Sequence, residues 1–195
     1  LNSLQLKKYR QEHGSFFFEG AKSVVELLAS DFEIEMLVAT DAFYKENTQK
    51  FDKQPFRVEI ATPDELSRVG TLQTNDAALA VVKTKSNDFL YAEKQEYVLV
   101  LDDIRDPGNL GTIIRIADWF GIENIVCSIG CADMYNGKVV QSTMGSLGRV
   151  NVIYTDLLTW LQENSAVKIY SASLEGKDVK AFGKLKEGIL IIGNE

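Results

Sequence analysis

The chain has 195 residues, 45% hydrophobic and 25% charged, with 14 Gly and 3 Pro, a composition that excludes collagenous, disordered and disulfide-framework classes. Its net charge is −7, from 21 basic and 28 acidic side chains, split 12 and 16 over residues 1–96 and 9 and 12 over residues 97–195. Neither half is basic, which argues against a protein that coats nucleic acid through overall charge. No stretch approaches the roughly 18 consecutive apolar residues of a membrane span, and the start, Leu1 to Lys8, lacks the apolar core of a signal peptide. With only two cysteines, Cys127 and Cys131, the chain reads as a cytoplasmic protein of a reducing compartment.

In chain order, residues 3 to 13 read as a helix stopped by Gly14. Phe16-Phe17-Phe18 reads as a short strand, and Glu19-Gly20 leads into a helix with an apolar stripe at Val24, Val25, Leu27 and Leu28. Strands are predicted at 35–39, 56–61 and 78–82, and a helix at 42–51. Thr62-Pro63-Asp64-Glu65 is a helix start: Thr62 can cap, Pro63 suits the first turn and Glu65 completes a capping box.

Residues 83 to 96 lose this periodicity and read as a linker. Beyond them Tyr97 to Leu101 is an apolar run ending in Asp102-Asp103, the pattern of a strand buried on both faces of a parallel sheet. A helix over 109–120 closed by Gly121, a strand at 124–128, helices at 138–144 and 156–164, and strands at 167–171 and 189–192 complete the alternation. That alternation predicts a parallel sheet covered by helices, with ligands outside the carboxyl ends of its strands. The chain lacks an initial Met and stops directly after a buried run, which reads as a fragment of a longer protein.

The stretch Asp106-Pro107-Gly108-Asn109-Leu110-Gly111, continuing to Arg115 and Asp118, follows a buried strand and opens a helix. Backbone N–H groups at such a start can receive an anion. Arg115 is the one charge among Ile113, Ile114, Ile116 and Ala117, a setting in which an arginine is either held by a carboxylate or points into a site. Neither a dinucleotide fingerprint nor a Walker loop is present. The cationic cluster Lys7, Lys8 and Arg10 reads either as a solvated helix face or as a contact for RNA. Asp102 and Asp103 could hold a magnesium ion or simply end a strand, and the second reading is preferred. Cys127 and Cys131 lack the further ligands a zinc site needs, so no metal is expected.

Asp106 to Asp118 resembles the first motif of the SpoU (TrmH-like) RNA ribose 2′-O-methyltransferases of the SPOUT class, including the Asn and Arg six positions apart. Cys131 to Val140, running on to Ser146, is similar to the family's next loop and helix, and Ile191-Ile192-Gly193-Asn194-Glu195 to the start of its second motif. Phe16 to Gly20 resembles the opening of its RNA-binding domain. The similarity is collinear over nearly the whole chain. Departures are Asp76-Ala77 in place of Gln-Gly, Gly137 for a usual Pro, Gln141 for a frequent Arg, and no counterpart of the third motif.

The resemblance implies an α/β protein: a substrate-binding domain over 1–83, a linker over 84–96, and over 97–195 a knotted methyltransferase domain, incomplete at its C-terminus. It implies methyl transfer from S-adenosylmethionine to a ribose 2′-hydroxyl of rRNA or tRNA, within a homodimer whose active site borrows from both subunits. Carried over, Asn109, Arg115 and Glu195 are catalytic, Ser171, Ala172, Ser173, Leu174, Gly193 and Asn194 hold the cofactor, and Lys7, Lys8 and Arg10 meet RNA. A guanidinium is too basic to accept a proton readily at neutral pH, so Arg115 is expected to orient a phosphate and stabilise developing negative charge. Without the third motif, this stretch alone is expected to bind S-adenosylmethionine poorly or not at all. The rival readings are a non-catalytic RNA-binding module of the same fold and an unrelated nucleotide-binding α/β enzyme.

Overall fold

A computed structural model of the chain describes residues 1–195 apart from Lys53, Leu174, Lys184, Asn194 and Glu195. The N-terminal part opens with a 3₁₀ turn, Asn2–Gln5, and helix α1, Lys7–His13; Gly14 ends α1 at φ 60°, a left-handed conformation that suits glycine. There follow β1 (Ser15–Glu19), α2 (Ala21–Leu27), β2 (Ile34–Ala39), α3 (Asp41–Phe51), β3 (Arg57–Ile60), α4 (Pro63–Val69) and β4 (Ala78–Lys83). The predicted capping box is formed: Glu65 N–H donates to the Thr62 hydroxyl at 3.3 Å, and Thr62 N–H donates to the Glu65 carboxylate at 2.8 Å.

These strands make one sheet in the order β1-β4-β2-β3, with β4 antiparallel to both neighbours and β2 parallel to β3. Successive side chains of a strand face opposite ways, and the three phenylalanines of β1 divide accordingly. Phe17 packs with Leu4, Leu66, Leu79 and Val81 on one face. Phe16 and Phe18 join the larger core on the other. All three are buried because both faces of β1 are covered.

The second half comprises β5 (Tyr97–Asp102), α5 (Pro107–Trp119), β6 (Asn124–Ser128), α6 (Gly137–Thr143), a 3₁₀ turn (Ser146–Gly148), β7 (Asn151–Thr155), α7 (Leu157–Glu163), β8 (Ile169–Ser171), a 3₁₀ turn (Val179–Phe182) and β9 (Gly188–Gly193). The five strands form a sheet in the order β7-β6-β5-β9-β8 with every pairing parallel, as the alternation predicts. Central β5 is buried on both faces: Val98 and Val100 belong to one apolar cluster, Leu99 and Leu101 to the other. β7 has no counterpart among the sequence expectations, although Val152-Ile153-Tyr154 carries β-branched and aromatic residues that suit a strand.

The two sheets share one core. Its largest cluster runs from Phe16, Phe18 and Val24 through Leu110 and Ile114 to Val139 and Val140, and the Phe16 and Tyr135 rings lie 4.4 Å apart across the seam. Residues 84–96 contain no helix or strand, yet they are tied down. Asn87 exchanges two 2.8 Å hydrogen bonds with the backbone of Tyr154. The Trp160 indole donates to Leu90 O at 2.7 Å, and Ala92 N–H donates to buried Asn164 at 2.7 Å. The segment is a strap along β7 and α7 rather than a free linker. No helix among the described residues is long and apolar enough to cross a membrane.

Candidate active site

The chain leaves β5 to build β6 and β7 on one side, then returns to build β8 and β9 on the other. The carboxyl ends of β5 and β9 therefore flank the point where strand order reverses, the place where open parallel sheets bind ligands. Asp102 lies opposite Gly193 there, and Ser171 opposite Ile191 on the next strand. Ala172 N–H donates to Ile191 O at 3.1 Å, so the turn after β8 is held against β9. Ser171, Ala172, Ser173 and Gly193, all predicted for the cofactor, sit together on this exposed edge. Leu174 and Asn194, predicted for the cofactor, and Glu195, predicted to be catalytic, lie outside the described residues.

Helix α5 begins at Pro107, two residues before the predicted start, because Asp106 caps it. The Asp106 carboxylate accepts from Asn109 N–H at 2.8 Å. That hydrogen bond, with Lys138 3.6 Å away, holds the Asp106 carboxyl below its ordinary range. The expected anion site at the helix start is thus corrected: the protein's own carboxylate occupies the cap. Leu110, Gly111, Ile114 and Ala117 form the buried face of α5. Gly111 is required by a close crossing, since a Cβ there would meet the Ser142 Cβ at 2.5 Å and Val139 O at 2.6 Å on α6.

Asn109 and Arg115 both lie on the exposed half of α5. Six residues of α-helix separate them by about 9 Å along the axis and about 120° around it, so in this chain their positions do not face one point. Arg115 makes no ion pair among the described residues. It lines an open groove of about 460 Å³ with Lys22, Ile116, Trp119, Phe120 and Met144. Trp119 and Phe120 are 85% and 73% exposed, so the groove has an uncovered apolar wall.

The carboxylate of this helix, Asp118, is taken by a different arginine that sequence reasoning missed. Arg149 donates to Asp118 through Nε and Nη2 at 2.8–3.1 Å, and through Nη1 to Glu26 of α2 at 2.8 Å. This fork lowers the Asp118 carboxyl below its usual range and raises the Arg149 guanidinium. It ties α5 to the N-terminal sheet's helix layer. Gln141, at a position where the resembled family often has Arg, donates instead to the Thr71 hydroxyl at 2.8 Å across the same seam.

The basic cluster of the first helix is split. Lys7 and Lys8 are exposed, as an RNA contact requires. Arg10 is a correction: it is only 4% exposed, donates to Leu4 O and Gln5 O, and pairs with Asp133 at 2.6 Å. A guanidinium buried and committed in this way cannot meet a phosphate.

Asp103 accepts from Arg105 at 2.8 Å, which fits the preferred strand-end reading. Cys127 and Cys131 are unlinked. The Cys131 thiol accepts from Ile104 N–H and donates to Leu101 O, both at 3.3 Å, pinning the end of β5. A hydrogen bond from Cys127, with others from Ser128 and Ile104, lowers Cys131 to about 6, while Cys127 is raised. No metal-holding cluster of three or more His, Cys, Asp or Glu occurs among the described residues.

Comparison with known proteins places this geometry. Residues 96–195 match the SpoU rRNA Methylase family and residues 1–80 the MRM3-like substrate binding domain. The 23S rRNA (guanosine(2553)-2′-O)-methyltransferase RlmP of Bacillus subtilis is 31% identical, over 98% of this chain and 76% of that protein. The mitochondrial rRNA methyltransferase 3 of Xenopus laevis is 29% identical, over 75% of this chain and 36% of that protein. Among solved structures, a TrmH-family protein from Porphyromonas gingivalis superposes with a TM-score of 0.84 at 32% identity, over 98% of this chain and 77% of that one. The AdoMet-bound rRNA methyltransferase of Sinorhizobium meliloti superposes with a TM-score of 0.86 at 26% identity, over 100% of this chain and 76% of that one. With its parallel sheet, its motif helix and this collinear match, the chain belongs to the SpoU rRNA methylase family.

Proposed function

We propose that the chain is an RNA methyltransferase that uses S-adenosylmethionine to methylate a ribose 2′-hydroxyl of ribosomal RNA. The observation that carries this reading is Arg115, exposed and without an ion pair among the described residues, on the helix that opens at the switch point of a SpoU-family sheet. The edge formed by Ser171, Ala172, Ser173 and Gly193 fits a cofactor rich in polar groups. It offers two exposed hydroxyls at adjoining strand ends, and a Cβ at Gly193 would meet no described atom within 4 Å. When bound, S-adenosylmethionine supplies the methyl group as an electrophile. Arg115 acts on the RNA: its guanidinium holds a phosphate and stabilises the oxygen as the hydroxyl proton passes to solvent water. Asn109 stands in the first turn of the same helix, and Glu195 follows β9 in sequence.

The division of labour follows the two sheets, with substrate recognition in residues 1–83 and chemistry in residues 97–195. Lys7 and Lys8 remain as RNA contacts, and a cytoplasmic site of action is in keeping with rRNA as substrate. The uncovered apolar wall of Trp119, Phe120 and Met144 beside Arg115 suits a second copy of the chain, which would bring another subunit's groups to Arg115 and complete the separated pair of Asn109 and Arg115.

The test is incubation of the whole gene's product with methyl-labelled S-adenosylmethionine and total cellular RNA. Label at a single rRNA nucleotide, with the adjoining phosphodiester resistant to alkali, is the expected result. Label on a base, or RNA binding without label, would overturn the reading, and the latter would favour the non-catalytic rival.

A further inference from the structure

The seam between the two sheets contains a cavity of about 430 Å³, separate from the switch-point edge and from the Arg115 groove. Helix α1 supplies one wall through Lys7, Arg10 and Gln11, which share a face because they are three and four residues apart. The loop after β6 supplies Ile129, Met134 and Tyr135, and β7 supplies Tyr154. The volume lies within the ~300–1,000 Å³ of small-ligand sites, which favour apolar and aromatic walls, a few polar groups and domain seams.

Several of its polar groups have capacity to spare. Lys7 makes no ion pair and the Gln11 amide no hydrogen bond among the described residues. The Tyr135 hydroxyl accepts from Lys85 N–H at 3.0 Å but donates to nothing described. Nε of Arg10 is the one buried side-chain polar atom among the described residues that lacks a partner. That nitrogen is covered by its surroundings, so it belongs to the cavity wall and is no donor to an occupant. Apolar and aromatic walls with the unengaged Lys7 ammonium at the rim, the other lining lysine, Lys85, being paired with Asp31, suit a flat heterocycle joined to a phosphate. The space holds one nucleotide and not a duplex.

We infer that this seam cavity receives one unpaired nucleotide of the substrate RNA, its base between Ile129, Met134 and the tyrosines and its phosphate at Lys7. This rests on the proposed function. It deepens that reading by making the substrate an RNA with an extruded or single-stranded nucleotide, held by both sheets at once. Single-stranded elements are what proteins read in RNA, by stacking their splayed bases on aromatic and apolar side chains.

The test is an NMR titration of the methyl-labelled chain with each of the four nucleoside 5′-monophosphates, and separately with inorganic phosphate. At least one nucleotide is expected to shift the Ile129 and Met134 methyl signals, and phosphate alone to leave them in place. Lys7→Ala should weaken that binding about two- to fivefold, the size of an exposed charge contact. Ile129→Glu, at a residue 72% exposed and so tolerant of change, should weaken it further by repelling the phosphate. Absence of shifts at these methyls in a folded chain, or shifts confined to Ser171–Ser173 and the start of α5, would overturn the inference. Cavity binding without any RNA methylation would sink the proposed function alone. Methylation without cavity binding would sink this inference alone.

Discussion

Arg10 of the first helix and Asp133 of the loop after β6, 123 residues apart in sequence, form a 2.6 Å ion pair in which the arginine is almost wholly buried. The pair binds the N-terminal sheet to the loop that the larger sheet projects toward it. Removing one member of a buried pair strands the other. Arg10→Ala is expected to lower unfolding stability by about 2–4 kcal/mol, the lower part of the range reflecting the partial exposure of Asp133. Urea denaturation checks this, and a loss below ~0.5 kcal/mol would show that the seam does not depend on the pair.

Gly111→Ala is a packing test. Alanine favours helix over glycine by about 1 kcal/mol, yet its Cβ would stand 2.5 Å from Ser142 and 2.6 Å from Val139 O. The obstruction includes α6 backbone, which cannot swing aside. Net destabilisation of about 1–3 kcal/mol is expected, as for other overpacked cores. A stabilised variant in a thermal melt would mean that the two helices separate at little cost.

Arg115→Ala should do the reverse of these two. The side chain is exposed and unpaired among the described residues, so stability should change by no more than ~0.5 kcal/mol. Methylation of rRNA should fall about 10²-fold or more, the scale of a lost positioned donor. Turnover close to the parent enzyme's would remove Arg115 from the mechanism.

Acid sensitivity should trace in part to Asp118. Hydrogen bonds from Arg149 hold its folded-state pKa below the ordinary value of 3.8. A depressed carboxylate contributes stability that is present above the unfolded value and lost as pH falls through the folded one. The Arg149 fork should therefore weaken below about pH 4. Asp118→Asn should flatten the stability profile between pH 5 and 3, and an unchanged slope there would assign the acid sensitivity to other groups.

The two cysteines should differ in reactivity. Cys131 is lowered to about 6 and lines the seam cavity, whereas Cys127 is raised and fully buried. Iodoacetamide on the folded protein should label Cys131 first, with a rate that climbs through about pH 6, since the thiolate is the nucleophile. Peptide mapping that finds Cys127 labelled first would contradict the hydrogen-bond arrangement around Cys131.

Local chemistry made much of this molecule legible before any coordinates. The capping box at Thr62, the glycine stop at Gly14, the doubly buried β5 and the parallel second sheet follow from residue types and periods of two and 3.6, which act over a few neighbours. Arg115 stands out the same way, as the one charge on an apolar stretch of the motif helix, whereas Asn109 comes only from the family resemblance. What the sequence alone determined is therefore most of the elements, with β7 missing, and the chemistry each can offer. Tertiary structure decided which of those groups are free. Arg10 and Lys7 are both basic and lie within one helical turn on the same face, but one is buried against Asp133 and the other is exposed at the cavity rim. Arg149 takes the carboxylate of Asp118 while Arg115 has no ion pair among the described residues. Charge pairing and burial depend on partners brought from more than a hundred residues away in one case and about thirty in the other, and no local pattern encodes that meeting. The segment 84–96 makes the same point: polar and aperiodic as sequence, it becomes a strap only because Tyr154, Trp160 and Asn164 stand ready to hold it.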